Sequence, residues 1–270
     1  MTSESPLQYT HAADGSRIAY AVHGKPRAPR RIALVHSLAM DHSFWDPVAA
    51  RLNDHAAVVA IDARGHGKSA KPAGPYRVET FADDLAAVLD ALGWDAAVVG
   101  GASMGGSVAL AFGIHHPART AALGLFDTTA WYGANAPADW EARGQKAVQE
   151  GLGSLIAFQE TRWFTDDFRR DHPDIVAHCK QVFLANDVPA YRETCRMLGS
   201  MDLRAGLAGI SAPTHILVGE EDYATPVAMA RQLADAIPAS RMRVLPHARH
   251  LSPLECPDDV AASLLELART

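Results

Sequence analysis

The chain has 270 residues, of which 48% are hydrophobic and 21% are charged, and its formal net charge is -6. This length suits one large domain, or one domain with an insertion, because single hydrophobic cores stop growing at about 250–300 residues. The composition is typical of a globular protein, and the negative charge gives no electrostatic reason to expect nucleic acid or an anionic membrane as a partner. We therefore expect a small-molecule ligand.

The three cysteines are Cys179, Cys195 and Cys256, an odd number without the spacing of a disulfide framework. The opening stretch MTSESPLQYTHAADGSR lacks the basic and apolar blocks of a signal peptide. We therefore expect a cytoplasmic protein with free thiols. Cys179 or Cys195 could serve as a nucleophile or a metal ligand, but isolated cysteines are usually small buried apolar residues.

The first half of the chain alternates between strand-like and helix-like segments. Two alternating stretches surround Asp14-Gly15, a pair that is typical of a β-hairpin. After the connector KPRAPR, the predicted strands are RIALVHS, AAVVAIDA, DAAVVGG and TAALGLFDTT, and the predicted helices are FADDLAAVLDALG and SVALAFGIHH. Strands that alternate with helices predict an α/β fold with a mostly parallel sheet and helices on both of its faces.

This alternation stops between about Thr129 and Arg204, where no run reads as a buried strand. It resumes at PTHILVGEED, followed by a helix over about 226–236, the strand RMRVLPH and a last helix that starts near Pro257. The sequence therefore predicts a core domain made of residues 1–128 and 206–270. A helical cap, residues 129–205, is inserted into it.

The stretch AAVVGGASMGGSVALAFGI, residues 96–114, contains no charged residue. A membrane span would need about 20 apolar residues, but four central glycines and the lack of flanking aromatic or basic clusters disfavour one. A dinucleotide loop would need Gly-x-Gly-x-x-Gly, which neither Gly100 nor Gly101 begins. The segment DARGHGKS also fails as a phosphate loop, because Asp62 stands where the first glycine is required.

The same stretch contains Gly-x-Ser-x-Gly, formed by Gly101, Ser103 and Gly105. In this motif the serine occupies a tight turn between a strand and a helix, so that its hydroxyl stands clear of the sheet edge. The flanking residues must be small because the bend brings two backbones together. An apolar strand precedes the motif and a helical segment follows it, which favours Ser103 as a nucleophile.

A serine hydroxyl needs a neighbouring base that a carboxylate orients, and after such a turn the acid and the histidine follow in that order. His250, in HARHLSP, lies past the last predicted strand, and we prefer it to His247 at the strand end. For the carboxylate we prefer Asp222, at the start of the loop DYATPV, to Asp127 after the strand ALGLF. Two further acidic neighbours are interpreted as solvated charges: Glu220 and Glu221.

Backbone N–H groups must also stabilise the developing oxyanion. The N–H of Met104, directly after the nucleophile, is one predicted donor, and the N–H of Leu38, after the strand RIALVHS, is the other. A metal site built from His36, Asp41 and His42 is an alternative, but their spacing is irregular. We therefore expect no metal and no cofactor.

Five segments together resemble the α/β-hydrolase family over essentially the full length: LVHSLAMDHSFWD, DARGHGKS, GASMGGSVAL, ILVGEEDYATP and HARHLSPLECP. Through HSLAMDHSFWD and the cap segment TRWFTDDF the chain looks most like the 3-oxoadipate enol-lactonases. The resemblance implies the α/β-hydrolase fold and a triad of Ser103, Asp222 and His250. The chain departs from those enzymes in the loop that carries the Leu38 N–H, where they have Asn-Ser-Leu-Gly and this chain has His-Ser-Leu-Ala at 36–39.

The cap is expected to select the substrate, because related enzymes share the fold and the triad. It contains nine Lys/Arg and eleven Asp/Glu between Thr129 and Ala205, which does not indicate an acidic substrate, although one oriented arginine, Arg143 or Arg162, could bind a carboxylate. Its aromatic residues could line an apolar pocket or pack the cap itself: Trp131, Tyr132, Trp140, Trp163 and Phe164. From these two sets we select Trp131, Arg143, Arg162 and Trp163 as substrate-binding candidates.

The leading hypothesis is a cofactor-independent serine hydrolase that opens a lactone or a small carboxylic ester through an acyl-enzyme. The alternatives are an N-acyl homoserine lactone lactonase, a general carboxylesterase, a carbon-carbon bond hydrolase, a cofactor-free perhydrolase and a hydrolase-like ligand receptor. A monomer or a homodimer is expected.

Overall fold

The structure is a computed structural model that describes residues 6–25 and 28–269. One sheet of eight strands forms its centre, in the order β1-β2-β4-β3-β5-β6-β7-β8. The strands are β1 Gln8–His11, β2 Arg17–Gly24, β3 Arg31–Val35, β4 Ala57–Ile61, β5 Ala97–Ala102, β6 Thr120–Phe126, β7 Thr214–Gly219 and β8 Ser240–Leu245. The β1–β2 and β2–β4 pairs are antiparallel and the other five pairs are parallel, so the predicted mostly parallel sheet is confirmed.

Eleven helices are present in the described residues. They are α1 Asp46–Leu52, α2 Val78–Ala91, α3 Met104–His115, α4 Ala136–Glu150, α5 Ile156–Trp163, α6 Asp166–Asp171, α7 Pro173–Leu184, α8 Val188–Ser200, α9 Val227–Ala236, α10 Ser252–Glu255 and α11 Pro257–Leu267. Four short 3-10 helices occupy His42–Trp45, Pro117–Arg119, Leu152–Leu155 and Arg204–Gly209.

The predicted hairpin around Asp14-Gly15 joins β1 to β2, with His11 opposite Arg17. Gly15 has φ +81, a backbone conformation that residues with a Cβ rarely adopt. The first five residues of the chain, and Pro26 and Arg27 of the connector, lie outside the described residues, and the interpretation of the N-terminal stretch stays a prediction.

Helices cover both faces of the sheet, as the apolar strand sequences predict. All five residues of β4 are buried, and successive side chains of a strand point to opposite faces, so neither face at β4 is open to solvent. Two separate helix pairs pack on the sheet, α1 with α11 and α2 with α3. The uncharged stretch 96–114 is divided between β5 and α3, and no helix of the described residues is long and apolar enough to cross a membrane.

The segment between β6 and β7 is helical. Residues 127–213, all of which the structure describes, hold α4 to α8 and contain no strand beyond an isolated bridge between Trp131 and Asp202. Helix α4 packs against α8, and α7 lies beside α5 and α6. We call this helical segment the cap. Its division from the core at residues 129 and 205 stays a prediction.

Candidate active site

Ser103 lies in a tight turn between β5 and α3. Its φ of 52° and ψ of -117° are unusual for a residue with a side chain, and such strain persists only where the surroundings enforce it. A Cβ at Gly101 would overlap the carbonyl oxygen of Gly105, and a Cβ at Gly105 would overlap that of Val35. The two glycines of the motif are therefore required by the close approach of strand and helix.

The structure brings Ser103, His250 and Asp222 together at the carboxyl ends of the parallel strands. The Nε2 atom of His250 lies 2.8 Å from the Oγ of Ser103, and its Nδ1 lies 2.9 Å and 3.1 Å from the two carboxylate oxygens of Asp222. All three residues are buried, with exposed fractions of 3% to 6%. When Nδ1–H donates to Asp222, Nε2 is free to accept the hydroxyl proton of Ser103.

Asp222 is held as a carboxylate. Its oxygens accept hydrogen bonds from the N–H of Ala224 and from both the N–H and the hydroxyl of Thr225. Burial alone raises the pKa of Asp222, but the neighbouring His250 and the Thr225 hydrogen bonds outweigh burial and keep that pKa below its ordinary value of 3.8. Asp222 can therefore orient the imidazole and balance a positive charge on it.

The alternative base, His247, and the alternative acid, Asp127, have other hydrogen-bond partners. His247 is exposed, and its backbone N–H lies 3.4 Å from Glu220. Asp127 is buried and accepts the N–H groups of Gly219 and Ser252, each at 2.9 Å. Burial first, and then the nearby charge of Asp222, raise the pKa of Asp127 well above 3.8. Asp127 thus ties together the loops that carry Asp222 and His250 rather than contacting the imidazole.

Leu38 and Met104 carry the two N–H groups predicted to bind the oxyanion. Leu38 lines the same cavity as Ser103, and Met104 is the first residue of α3. Neither N–H donates to an acceptor among the residues that the structure describes. Both groups are thus available to an oxyanion formed next to Ser103, and the helix N-terminus at Met104 adds a favourable dipole.

His36 fixes the peptide that carries the Leu38 N–H. The N–H of Ala63 donates to His36 Nε2 at 3.0 Å, so the ring proton must be on Nδ1, which donates to the Ser37 carbonyl at 2.7 Å. Burial lowers the pKa of His36 from 6.5, which favours this neutral form. Because a trans peptide directs its C=O and N–H oppositely, holding the Ser37 carbonyl fixes the direction of the Leu38 N–H.

A cavity of about 650 Å³ opens above Ser103, between the core and the cap. Helix α4 presents Trp140 and Arg143 to it, and α5 presents Gln159 and Arg162, which are spaced three residues apart on one helix face in each case. The wall also includes Leu155, Phe158, Trp163, Ala224 and Met229. The wall of the cavity therefore combines apolar and polar side chains in similar numbers.

Two guanidinium groups give the cavity a positive region. Arg143 donates to the Tyr191 hydroxyl at 2.7 Å and Arg162 to the Tyr223 carbonyl at 2.8 Å, and neither has an ion-pair partner among the described residues. Lys146, also in the wall, pairs with Glu150 at 3.8 Å. Asp139 is the acidic residue in the wall, and it is exposed.

Two cavity residues lacked a sequence signal of their own. Tyr132 lines the cavity with Ser103, and burial raises the pKa of its hydroxyl to about 12. Gln159 is only 5% exposed, and its amide has no hydrogen-bond partner among the described residues. Both are neutral groups that can donate a hydrogen bond to a bound molecule.

Of the four predicted substrate-binding residues, Arg143, Arg162 and Trp163 line the cavity and Trp131 does not. The ring of Trp131 instead lies 3.7 Å from the guanidinium carbon of Arg204, outside the cavity. The selection of Trp131 therefore needs correction: the chain direction in this irregular segment presents Tyr132 to the cavity and Trp131 to the other side. Trp140 also lines the cavity, whereas Phe164 is fully buried.

The cysteines and histidines that the sequence offered as nucleophiles or metal ligands are protonated or already hydrogen-bonded in the structure. Burial raises the pKa of Cys179 to about 12 and that of Cys195 to about 11, so both remain thiols. The ring nitrogens of His36 are both engaged, and His42 Nδ1 lies 2.8 Å from Asp62. Within the described residues, no group of three or more His, Cys, Asp or Glu side chains could hold a metal ion.

Comparison with known proteins places the chain among hydrolases. The profile of the alpha/beta hydrolase fold matches residues 31–257. The chain is 34% identical over 248 residues to 3-oxoadipate enol-lactonase 2 of Acinetobacter baylyi, which covers 92% of this chain and 91% of that protein.

Two solved structures are also similar. The enol-lactonase from Burkholderia xenovorans LB400 superimposes with a TM-score of 0.92 at 32% identity, covering 97% of this chain and 100% of that one. Est816, an N-acyl homoserine lactone degrading enzyme, has a TM-score of 0.82 at 29% identity and covers 94% and 98% of the two chains. With its eight-stranded sheet, its strand–serine–helix turn and this profile match, the chain belongs to the α/β-hydrolase family.

Proposed function

We propose that the protein hydrolyses a small lactone that bears a carboxylate, as 3-oxoadipate enol-lactone does, with Ser103 as nucleophile. The observation that carries the proposal is the hydrogen-bonded series from Ser103 through His250 to Asp222, which opens into a cavity with two unpaired arginines. The similarity to enol-lactonases supports the same substrate class.

The first chemical step forms an acyl-enzyme. His250 Nε2 accepts the proton of Ser103, and Ser103 Oγ attacks the lactone carbonyl, while Asp222 stabilises the imidazolium. The negative charge on the carbonyl oxygen is held by the N–H groups of Leu38 and Met104. When the C–O bond of the ring breaks, His250 returns its proton to the departing oxygen. That oxygen stays on the acyl chain as an enol.

The second step regenerates the enzyme. Water enters beside His250, which accepts its proton as the oxygen attacks the acyl carbon. The same two N–H groups stabilise the second oxyanion, and collapse of this intermediate returns the proton from His250 to Ser103. The released acid carries an enol that becomes a ketone by moving its proton from oxygen to carbon, so no oxidant, reductant or metal is needed.

The polar groups of the cap suit the carboxylate of such a substrate. Arg143 and Arg162 supply charge, and the buried amide of Gln159 supplies a further donor. Charge-assisted hydrogen bonds from guanidinium groups to a carboxylate are among the stronger polar contacts in proteins. The apolar wall around Trp140 and Trp163 would hold the carbon skeleton.

The similarity to Est816 makes N-acyl homoserine lactones the second candidate substrates. These are neutral, so the charge of the substrate separates the two functions. We expect kcat/KM to be highest for 3-oxoadipate enol-lactone in a panel with acyl homoserine lactones of several chain lengths, simple γ-lactones and nitrophenyl esters. An enol-lactone rate no higher than that of a simple ester would remove the proposed substrate.

The same assay tests the ligand-receptor alternative. An enzyme completes many turnovers at a steady rate, whereas a receptor would show one turnover and retain a covalent adduct. We expect sustained turnover, and a mass increase that persists after the substrate is exhausted would contradict it.

A further inference from the structure

A second recess, of about 240 Å³, lies next to the catalytic cavity. Met229 of α9 is part of the wall of both spaces. The consecutive residues Trp131 and Tyr132 also separate them, because Trp131 lines the recess and Tyr132 lines the catalytic cavity. A single layer of side chains therefore stands between the recess and the cavity that contains Ser103.

The walls of the recess are mostly apolar, and they come from the start of the cap, the 3-10 helix Arg204–Gly209 and α9. The apolar side chains are those of Ala130, Trp131, Leu207, Leu233 and Ala236. The cation in the wall, Arg204, lies over the Trp131 ring and pairs with Asp202 at 2.6 Å, so its charge is already matched. The recess therefore fits a hydrocarbon chain better than an anion.

Met229 is suited to closing a passage between the two spaces. It lies in the first turn of α9, where its backbone N–H donates to the Pro226 carbonyl at 2.7 Å. A methionine side chain is unbranched and has three rotatable bonds, so it fills irregular gaps and is easily displaced. Removing its thioether would join the recess to the cavity without disturbing a polar contact.

We propose that Met229 limits the length of the substrate and that the recess behind it is a subsite for an alkyl chain. The proposal rests on the proposed function, because the chain would belong to an ester or lactone whose carbonyl is attacked by Ser103. In the native protein Met229 restricts the site to short substrates. With Met229 shortened, additional methylene groups pass into the recess and become buried.

The test compares kcat/KM for nitrophenyl esters with acyl chains from acetate to dodecanoate. In Met229→Ala we expect the optimum to move to longer chains, with a gain of about fourfold for each methylene that becomes buried. A second substitution, Ala236→Phe, places a ring in the recess and should cancel the gain in the Met229→Ala background. Met242→Ala, in β8 and outside both spaces, is the matched control and should keep the native chain-length profile.

Thermal melting of each variant shows that it is folded, and Met229→Val provides a smaller change if Met229→Ala melts early. A chain-length profile in both Met229 variants parallel to that of the native protein would overturn the proposal. So would a gain that Ala236→Phe does not cancel, because the extra chain would then lie in the main cavity. Failure of the proposed function is distinguishable: an enol-lactone rate no higher than that of the acetate ester would remove the proposed substrate and leave the chain-length comparison intact, whereas a native protein that turns over none of the esters would not be a serine hydrolase.

Discussion

Arg143 and Arg162 face one cavity, neither has an ion-pair partner among the described residues, and burial followed by the charge of Arg143 lowers the pKa of Arg162 from its ordinary 12.5, against the opposing charge of Asp222. Like charges held together in this way are costly unless an anion binds between them. The pair therefore supports the proposal of a substrate with a carboxylate.

Replacing either arginine should reduce activity toward the acidic substrate specifically. For Arg162→Met and Arg143→Met we expect kcat/KM for the enol-lactone to fall by about 10- to 100-fold, the worth of a hydrogen bond to a charged group. Turnover of neutral nitrophenyl acetate should fall far less. Arg241→Met, on the exposed side of β8, is the control. Equal losses on both substrates would show that the arginines support the cap rather than bind a carboxylate.

His36 should affect the rate of the chemical step through the Leu38 N–H. We expect His36→Leu to lower kcat by about 10- to 100-fold with little change in KM. The Leu38 N–H would then be misdirected, and this matters only when negative charge develops on the substrate oxygen. His36→Asn keeps a side-chain N–H that can reach the Ser37 carbonyl and should retain more activity. If both variants lose stability equally and keep native kcat, His36 serves the fold alone.

Asp222 and Asp127 should respond differently to substitution. Asp222→Asn should lower kcat by about 10⁴-fold with a nearly native melting temperature, because the amide favours the wrong imidazole tautomer. Asp127→Ala leaves two buried N–H groups, those of Gly219 and Ser252, without acceptors and should cost about 2–4 kcal/mol of stability. Kinetics and urea unfolding of both variants measure the contrast. A larger loss of kcat in the folded Asp127 variant would reverse the assignment.

Acid should destabilise the protein through His66. Burial, then the neighbouring His36, lower the pKa of His66 to about 3 from an ordinary 6.5. As the pH falls, His66 therefore takes up a proton in the unfolded chain before it does so in the folded protein. The stability contributed by neutral His66 is complete above pH 6.5 and is lost progressively toward pH 3. At about 1.4 kcal/mol per pKa unit this amounts to a few kcal/mol.

Urea unfolding between pH 7 and pH 4 tests this dependence. The free energy of unfolding should fall less steeply with acid in His66→Asn than in the native protein. His55→Asn, at an exposed position, should leave the native slope. Identical slopes for the native protein and His66→Asn would exclude His66 as the source of acid sensitivity.

Local sequence patterns were sufficient to predict the sheet and the serine turn. The apolar runs of β3 to β7, the Asp14-Gly15 turn and the glycines around Ser103 each act within a few residues, so their structures follow from local sterics. His250 could be preferred to His247 because a residue well past the end of β8 can reach over the sheet edge.

The cavity wall was less predictable because the path of the chain decides which side chains face it. Trp131 and Tyr132 are adjacent aromatic residues, but Trp131 forms a bridge to Asp202 and Tyr132 lines the cavity with Ser103. Gln159 belongs to no motif, and the α5 face that it shares with Arg162 mixes polar and apolar residues. Such a face does not give a regular hydrophobic period, so its role becomes visible only once α4 and α5 are brought together.

The most direct measurement is the turnover of 3-oxoadipate enol-lactone by the native protein and by Ser103→Ala at equal concentration. We predict sustained hydrolysis by the native protein and a loss of at least about 10⁴-fold in kcat for the variant, with an unchanged melting temperature. Near-native hydrolysis by folded Ser103→Ala would contradict the assignment of Ser103 as the nucleophile.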